Sequence, residues 1–181
     1  MSWPERIDGD GFVLRPWRVS DADDLAFHAN DAQVAQSLGE RFPNPYTIDD
    51  AHFFIAHALH LSNEKIWAIE VNGVASGGIG VHPGEGVERH SAELGYWLGR
   101  AYWGEGIATA AVRALIPHAL RELRLYRLQA RVFDDNPASM CVLERSGFIH
   151  EAVLRRLVVK HGRLLDMHIY AITRDTLDAE G

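Results

Sequence analysis

The alternation of apolar and polar positions divides the chain into helical and extended segments. Near the start, "FVLRPW" predicts a short strand that ends at Pro16. Helical patterns begin after Ser20 and after Thr47, each with an aspartate three residues later that favours a capping box. The segment "LGERFPNPYT" between them predicts a loop, because proline and asparagine interrupt it. Two helices are therefore expected before the main series of strands.

After Ile66 the hydrophobic period changes from helical to alternating. "IWAIEV" and "VASGGIGV" flank Asn72-Gly73, a pair that favours the tight type I′ turn of a hairpin. Further extended patterns are "SAELGYWLG", "RLQARVF", "AVLRRLVV" and "LLDMHIYAI", the last two joined by the turn "KHGR". Since the chain has no internal repeat or linker, we predict one domain over residues 1–181, an α/β or α+β fold with helices packed on a mixed sheet.

The stretch "GYWLGRAYWGEGIATAAV" changes from strand to helix at two glycines. Gly104 and Gly106 permit backbone conformations that a side chain would prevent, and the helix from Ile107 has no polar residue at its start. Its unpaired N–H groups and the positive end of its dipole favour a phosphate group. Thr109 stands where a dinucleotide fingerprint would have its third glycine, and the lysine of a P-loop is missing. Taken alone, the segment is equally compatible with a tight turn that binds nothing.

A second segment, "NPASMCVLERSGF", predicts a short helix with signals at both ends. Asn136 is a good N-cap, Pro137 suits the first helical position, and Gly147 suits a left-handed end. These features alone require no ligand. Together with the glycine stretch, however, they resemble the acetyl-CoA-binding core of the GNAT acetyltransferases, specifically the RimJ/RimL-type N-acetyltransferases. "FVLRPWRVSDADDL", "PYTIDDAHFFI" and "GRLLDMHIYAI" are similar to other parts of that subfamily, so the resemblance extends over nearly the whole chain.

The resemblance implies where acetyl-CoA would bind. The sheet would be mostly antiparallel, with the strand at residues 93–98 splayed from the strand at residues 128–132 and the pantetheine arm of the cofactor in the gap. Backbone groups of the first strand would pair with that arm, and N–H groups of the glycine loop would take the pyrophosphate. Asn136 would be a side-chain contact to the pantetheine. The residues expected to bind acetyl-CoA are Tyr96, Trp97, Leu98, Arg100, Trp103, Gly104, Glu105, Gly106, Ile107, Ala108, Thr109, Asn136 and Ser139.

Two positions depart from the pattern of the wider family. Ala101 replaces the Gln or Arg that usually precedes the first glycine by three residues, which implies the loss of one phosphate contact but not of the loop. Leu143 stands where many members have a tyrosine that protonates the leaving thiolate. Ser139 matches the serine of the RimJ/RimL pattern and is therefore the candidate proton donor, although a serine in a first helical turn often bonds only the backbone.

Glu93 is the candidate base that accepts the amine proton, directly or through a water. The structural alternative is a carboxylate that pairs with an arginine or caps the loop. A protein N-terminal α-amine has a reference pKa of about 7.7 to 8.0, against about 10.4 for lysine, so it costs less to deprotonate. The predicted function is therefore acetyl-CoA-dependent N-acetylation of a protein N-terminus by direct attack. The alternatives are acetylation of a small amine (a polyamine, an amino acid or an aminoglycoside-like compound) and a non-catalytic acyl-CoA-binding domain. Residues expected near the acceptor are Glu40, Tyr46, Glu85, Glu88 and Asp166.

Charge and composition restrict the partners further. A formal net charge of -7 argues against a nucleic-acid partner and suits a cationic amine. The start of the chain is unlike a signal peptide, no apolar run is long enough to span a membrane, and Cys141 has no second cysteine to pair with, so we expect a cytoplasmic protein. We expect Cys141 to be a buried thiol, and no metal site, because His57 and His60 lack a third ligand. The sequence leaves a homodimer open.

Overall fold

The computed structural model describes residues 4–61 and 65–175. Its strands are β1 (Ile7–Gly9), β2 (Phe12–Pro16), β3 (Lys65–Val71), β4 (Val74–Pro83), β5 (Ser91–Leu98), β6 (Arg127–Phe133), β7 (Ile149–Lys160) and β8 (Arg163–Thr173). Its helices are α1 (Ala22–Ala29), α2 (Ala32–Gln36), α3 (Ile48–His60), α4 (Ile107–Glu122) and α5 (Pro137–Arg145). The predicted combination of helices and strands is confirmed.

The strands form one mixed sheet in the order β1-β2-β3-β4-β5-β6-β8-β7. Neighbouring strands are antiparallel except β5 and β6, which run parallel. Helix α4 supplies the crossover that a parallel connection requires. The mostly antiparallel sheet expected from the resemblance is therefore confirmed, and its single parallel junction within the described residues lies between the fifth and sixth of the eight strands.

The parallel junction is paired at one end and open at the other. Pairing between β5 and β6 begins at Ser91 and Arg127 and ends at Glu93 and Gln129, although both strands continue beyond these residues. Beyond that point β5 remains paired with β4 as far as Leu98, while β6 remains paired with β8. The two strands therefore diverge, which confirms the splayed strand pair.

Side chains of β5 alternate between two hydrophobic layers. Leu94, Tyr96 and Leu98 pack in the layer that contains α4 and α5. Trp97 packs in the layer that contains α1 and α3. Because successive side chains of a strand point to opposite faces, Glu93 lies on the Trp97 face, and groups on both faces can reach the gap between β5 and β6.

Local turn chemistry accounts for the hairpins. Asn72 and Gly73 have φ angles of 51° and 84°, and His161 and Gly162 have φ angles of 49° and 73°. Positive φ at both central residues is the signature of the type I′ turn, which matches the twist of the adjoining strands. Both predicted hairpins are confirmed.

The start of α1 differs from the prediction. The capping box expected from Ser20 is wrong, since α1 begins at Ala22 after a short 3₁₀ turn. The carboxylate of Asp21 accepts hydrogen bonds from the Arg18 N–H at 2.7 Å and from the buried Arg15 guanidinium at 2.7 and 2.9 Å. The expected box at Thr47 is confirmed, because its hydroxyl accepts from the backbone N–H three residues on.

The loop after α2 is fastened to the β7–β8 hairpin by a buried lysine. Lys160, 4% exposed, donates from Nζ to the carbonyl oxygens of Ala35, Gln36 and Leu38. The same ammonium group lies 4.8 Å from the centre of the Phe133 ring. We call this arrangement the Lys160 clasp. It fixes the distance between the loop at residues 38–47 and the end of β7.

Candidate cofactor cleft

The glycine loop ends in a helix N-terminus that has no side-chain cap. Gly104 and Gly106 have φ angles of 81° and 82°, and a Cβ placed at either would meet no atom within 4 Å. Gly106 occupies the N-cap position of α4 and, as a glycine, has no side-chain oxygen that could cap the helix. Ala110 donates to the Gly106 carbonyl at 3.0 Å, so the N–H groups that precede it on the first turn lack helical acceptors. These donors and the helix dipole make a favourable anion site.

The open edge of β5 exposes the backbone of Tyr96 and Leu98. Gly99 donates from its N–H to Ser76 of β4 at 2.7 Å. Alternate residues of an antiparallel strand bond the same neighbour, so Trp97 also directs its N–H and C=O towards β4. The intervening residues, Tyr96 and Leu98, direct theirs towards the gap. The backbone contact expected from Trp97 stays a prediction, although its hydrogen-bonding groups face β4 and not the gap.

Two side chains of the expected cofactor set have protein partners. Trp103 donates from Nε1 to the carbonyl oxygen of Leu98 at 2.7 Å, so this carbonyl already has a donor. Arg100 forms an ion pair with Asp31, the N-cap of α2, at 2.9 Å. This pairing draws the Arg100 side chain towards α2, and it fastens the start of the glycine loop to that helix.

The remaining members of the expected set contribute in different ways. Ile107 is 7% exposed and packs in the α4 layer, so its backbone is the part available to a ligand. Glu105 is exposed beside the glycines, where its charge opposes that of a phosphate. Ala108 and Thr109 are partly exposed on the first turn of α4. The loop therefore depends on its backbone rather than on basic side chains.

Asn136 fixes the start of α5 as the sequence predicts. Its Oδ1 accepts a hydrogen bond from the Ser139 N–H at 3.1 Å. Gly147, with a φ angle of 87°, follows the last turn of the helix. Because the amide oxygen is engaged in the cap, the NH₂ group of Asn136 is the part that remains to donate to a carbonyl of a ligand.

Tyr96 reaches from β5 to Ser139 at the start of α5. The two hydroxyl oxygens are 2.7 Å apart, and the Tyr96 hydroxyl is also 3.2 Å from the Ser139 carbonyl oxygen. Burial raises the pKa of the Tyr96 phenol to about 12, while the hydrogen bond with Ser139 acts in the opposite direction. This contact joins residues 43 positions apart. The sequence contains no local signal for it, and it was not predicted.

Glu93 lies half-buried at the point where β5 and β6 diverge. It is paired in register with His82 of β4 and with Gln129 of β6. Directly opposed residues of antiparallel strands share a face, so His82 lies beside Glu93. The Nε2 atom of His82 is 3.8 Å from the position that a Cβ of Gly95 would occupy. His82 is thus a titratable neighbour of the candidate base that sequence analysis did not single out.

A cavity of about 510 Å³ lies along α4 beside the glycine loop. Its lining includes Gly106, Thr109 and two arginines, Arg113 and Arg145. Arg113 donates from Nε to the Arg145 carbonyl at 2.9 Å, which holds its guanidinium between α4 and the end of α5. The lining also contains one carboxylate, that of Asp10, so the two arginines leave a net positive charge beside the glycine loop. Helical spacing alone did not distinguish them from ordinary surface residues.

The structure gives several expected residues structural partners. Tyr46 is 6% exposed and belongs to the hydrophobic layer around α1 and α3. Asp166 accepts a hydrogen bond from the Arg156 N–H at 2.7 Å within the last hairpin. Glu40, Glu85 and Glu88 lie exposed in their loops. Cys141 is exposed on α5, so the expected buried thiol is wrong.

Within its described ranges, the chain has neither a metal-binding cluster nor a membrane-spanning helix. Among residues 4–61 and 65–175, no group of three or more His, Cys, Asp or Glu side chains is arranged to hold a metal ion. In the same ranges, no helix combines the length and the apolar character needed to cross a bilayer.

Comparison with known proteins identifies relatives of this chain. It is 37% identical over 87 residues to the uncharacterized N-acetyltransferase p20 of Bacillus licheniformis, covering 48% of this chain and 49% of p20. It is 40% identical over 83 residues to the ribosomal-protein-serine acetyltransferase of Escherichia coli, covering 45% of each protein. This chain therefore aligns with about half the length of these curated relatives.

The fold also matches solved structures. Mycobacterium smegmatis RimJ in complex with CoA-disulfide superposes with a TM-score of 0.83 and 25% sequence identity. That match covers 92% of this chain and 83% of RimJ. A family model described as an acetyltransferase (GNAT) domain matches residues 12–149, which include β5, the glycine loop and α5. The chain belongs to the GNAT family of acetyltransferases.

Proposed function

We propose that this protein is an N-acetyltransferase that uses acetyl-CoA to acetylate a protein N-terminal α-amine. The main support is the gap between β5 and β6 beyond Glu93 and Gln129, whose open edge leads to the uncapped start of α4. An extended ligand with an anionic end fits such a cleft, because a strand edge and a helix N-terminus provide the required donors in sequence.

The residues of the cleft fit acetyl-CoA along its length. The backbone of Tyr96 and the N–H of Leu98 can pair with the pantetheine arm, and the NH₂ group of Asn136 can donate to one of its amide carbonyls. The N–H groups from Gly104 to Thr109 can bind the pyrophosphate. Arg113 and Arg145 supply positive charge beside the cavity, where a further phosphate of the cofactor would be favourable.

The proposed chemistry uses groups on both faces of β5. The cofactor supplies a thioester, whose C–S bond breaks as the amine nitrogen forms the new C–N bond. Glu93, on the Trp97 face, takes the proton that the amine loses. Ser139 lies on the opposite face with Tyr96 and donates a proton to the departing sulfur. Amine deprotonation and thiolate protonation are thus separated by the plane of the sheet, and no covalent intermediate with the enzyme is required.

Two observations favour a protein N-terminus as the acceptor. The α-amine has the lowest reference pKa of the ordinary protein amines, which suits a single carboxylate base. One relative is named as a ribosomal-protein-serine acetyltransferase. The net charge of -7 is equally compatible with a small cationic amine, which is the alternative substrate class.

A panel of amines distinguishes these possibilities. The protein is mixed with acetyl-CoA and with N-terminally free peptides, the same peptides with blocked N-termini, polyamines, amino acids and an aminoglycoside, and release of free thiol is followed. We expect release with free peptides and none above background with blocked ones. Preferential release with a small amine would instead support the alternative substrate class. Acetyl-CoA binding without release across the panel would identify a non-catalytic binding domain.

A further inference from the structure

The proposed contact of Tyr96 with the pantetheine arm uses only its backbone, but its side chain makes a specific contact of its own. Its ring packs in the layer of α4 and α5, and its hydroxyl meets the Ser139 hydroxyl at 2.7 Å. The Ser139 N–H is already bonded to Asn136. The position of Ser139 is therefore fixed from two sides, by the cap of its own helix and by a phenol from the neighbouring strand.

We propose that Tyr96 is a positioning residue for Ser139, and that its phenol donates to Ser139 Oγ and so directs the serine proton towards the departing thiolate. This inference rests on the proposed function, in which Ser139 is the proton donor. A serine hydroxyl has one proton, so an orientation in which Oγ accepts from Tyr96 leaves that proton available to the sulfur. A phenol with a pKa of about 12 stays protonated at neutral pH and can therefore act as this donor.

The identity of residue 143 makes a phenol from β5 more important. The Leu143 side chain is aliphatic and completely buried in the hydrophobic layer, so this position of α5 offers no hydroxyl to the cleft. Tyr96 delivers a phenol to the same helix, one turn earlier, from a different element. The hydroxyl pair thus joins the strand that borders the gap to the helix that would protonate the sulfur.

The proton transfer balances with water as its only further proton source. When the C–S bond breaks, its electron pair stays on sulfur, and the proton of Ser139 passes to that sulfur. The hydrogen bond from Tyr96 stabilises the negative charge that develops on Oγ, and solvent returns a proton after the thiol departs.

The competing orientation of the same atoms gives Tyr96 a structural role only. In it, the phenol donates to the Ser139 carbonyl oxygen, 3.2 Å away, and accepts from Oγ, so the serine proton points away from the sulfur. Removing the phenol would then cost stability without slowing proton transfer.

Kinetics of Tyr96→Phe test the inference, because this change removes the hydroxyl and keeps the ring. We expect kcat to fall about tenfold, the effect of losing one hydrogen bond to a group that gains charge, with the KM for acetyl-CoA within about twofold of wild type. Ser139→Ala should lower kcat at least as much. The double variant should be no slower than Ser139→Ala alone, since Tyr96 acts through Ser139.

Tyr170→Phe is the matched control. The Tyr170 hydroxyl also bonds α5, donating to Glu144 at 3.0 Å, and burial raises its pKa to about 12 as well. Its loss should leave kcat within about twofold of wild type. An unchanged kcat in Tyr96→Phe, or a double variant whose losses multiply, would overturn the inference while the wild-type activity stands. A wild-type protein that acetylates no amine would overturn the proposed function and the inference together.

Discussion

Gly104 and Gly106 hold the backbone of the glycine loop in a conformation that other residues rarely adopt. Their φ angles of 81° and 82° are in the left-handed region, and the space outside each Cα is empty. A side chain there would meet no neighbour, so its cost is conformational. For a β-branched residue that cost is about 1 to 2 kcal/mol, and the loop would relax away from the arrangement that aligns its N–H groups.

Gly104→Val should therefore weaken acetyl-CoA binding by about tenfold or more, which calorimetric titration would measure. The matched control is Gly73→Val, since Gly73 has a φ angle of 84° and equally empty surroundings but lies in the β3–β4 turn. The control should lose stability and keep its affinity. Equal affinities of the Gly104 variant and wild type would rule out a pyrophosphate site at this loop.

Glu93→Gln should lower kcat/KM for the acceptor about a hundredfold, because the amide is nearly the same size but cannot accept a proton. Steady-state rates with an N-terminally free peptide would measure this loss. Glu88→Gln, at an exposed loop carboxylate, should keep the wild-type rate. If the Glu93 variant also kept that rate, a different group, such as the neighbouring His82, would have to be the base.

The ends of helices and hairpins were predicted correctly where the residues that determine them are neighbours in the sequence. The hairpin turn at Asn72 and the cap at Asn136 followed from residues that act on their immediate neighbours. The predicted start of α1 was wrong because Asp21 bonds Arg15 of β2. A helical pattern in the sequence gives no indication of such a contact with another element. The Tyr96–Ser139 pair was missed for the same reason, since the folded sheet brings the two residues together. Strand β1 and helix α2 were not predicted, because elements of three and five residues show no measurable period.

The buried contact between Arg15 and Asp21 connects β2 to the start of α1. Arg15 is 3% exposed and also bonds Glu70 of β3, so three elements meet at one guanidinium. Arg15→Met should lower the free energy of unfolding by about 3 to 5 kcal/mol, because it removes the cationic partner of the buried Asp21 carboxylate. Urea denaturation would measure this loss. Arg6→Met, at the exposed pair with Asp8, should change the urea midpoint little.

Three tyrosines make the stability of the folded protein depend on alkaline pH. Burial raises the pKa values of Tyr46, Tyr96 and Tyr170 to about 12, against about 10 in an unfolded chain. The folded state therefore keeps protons that the unfolded state releases. Their contribution to stability is complete below pH 10 and is lost as the pH rises through about 12.

Thermal unfolding between pH 8 and pH 12 would measure this loss. The melting temperature should fall steeply above pH 10 in the wild type, and less steeply when Tyr46 is replaced by Phe. Tyr126→Phe, at a tyrosine that is 60% exposed, should follow the wild-type curve. A Tyr46 variant with an unchanged slope would show that ionisation of this phenol does not limit alkaline stability.

The Lys160 clasp also affects which lysine of the protein acetyl-CoA can acetylate. Lys65 and Lys160 are the chain's two lysines, and an acetyl thioester modifies a lysine only through a neutral, accessible amine. The Lys160 amine is directed at three carbonyl oxygens and is almost completely enclosed. Peptide mass spectrometry after long incubation with acetyl-CoA should therefore find acetyl groups on Lys65 before any appear on Lys160. The Lys160 clasp would thereby be protected from acetylation, which would remove the positive charge of its ammonium group.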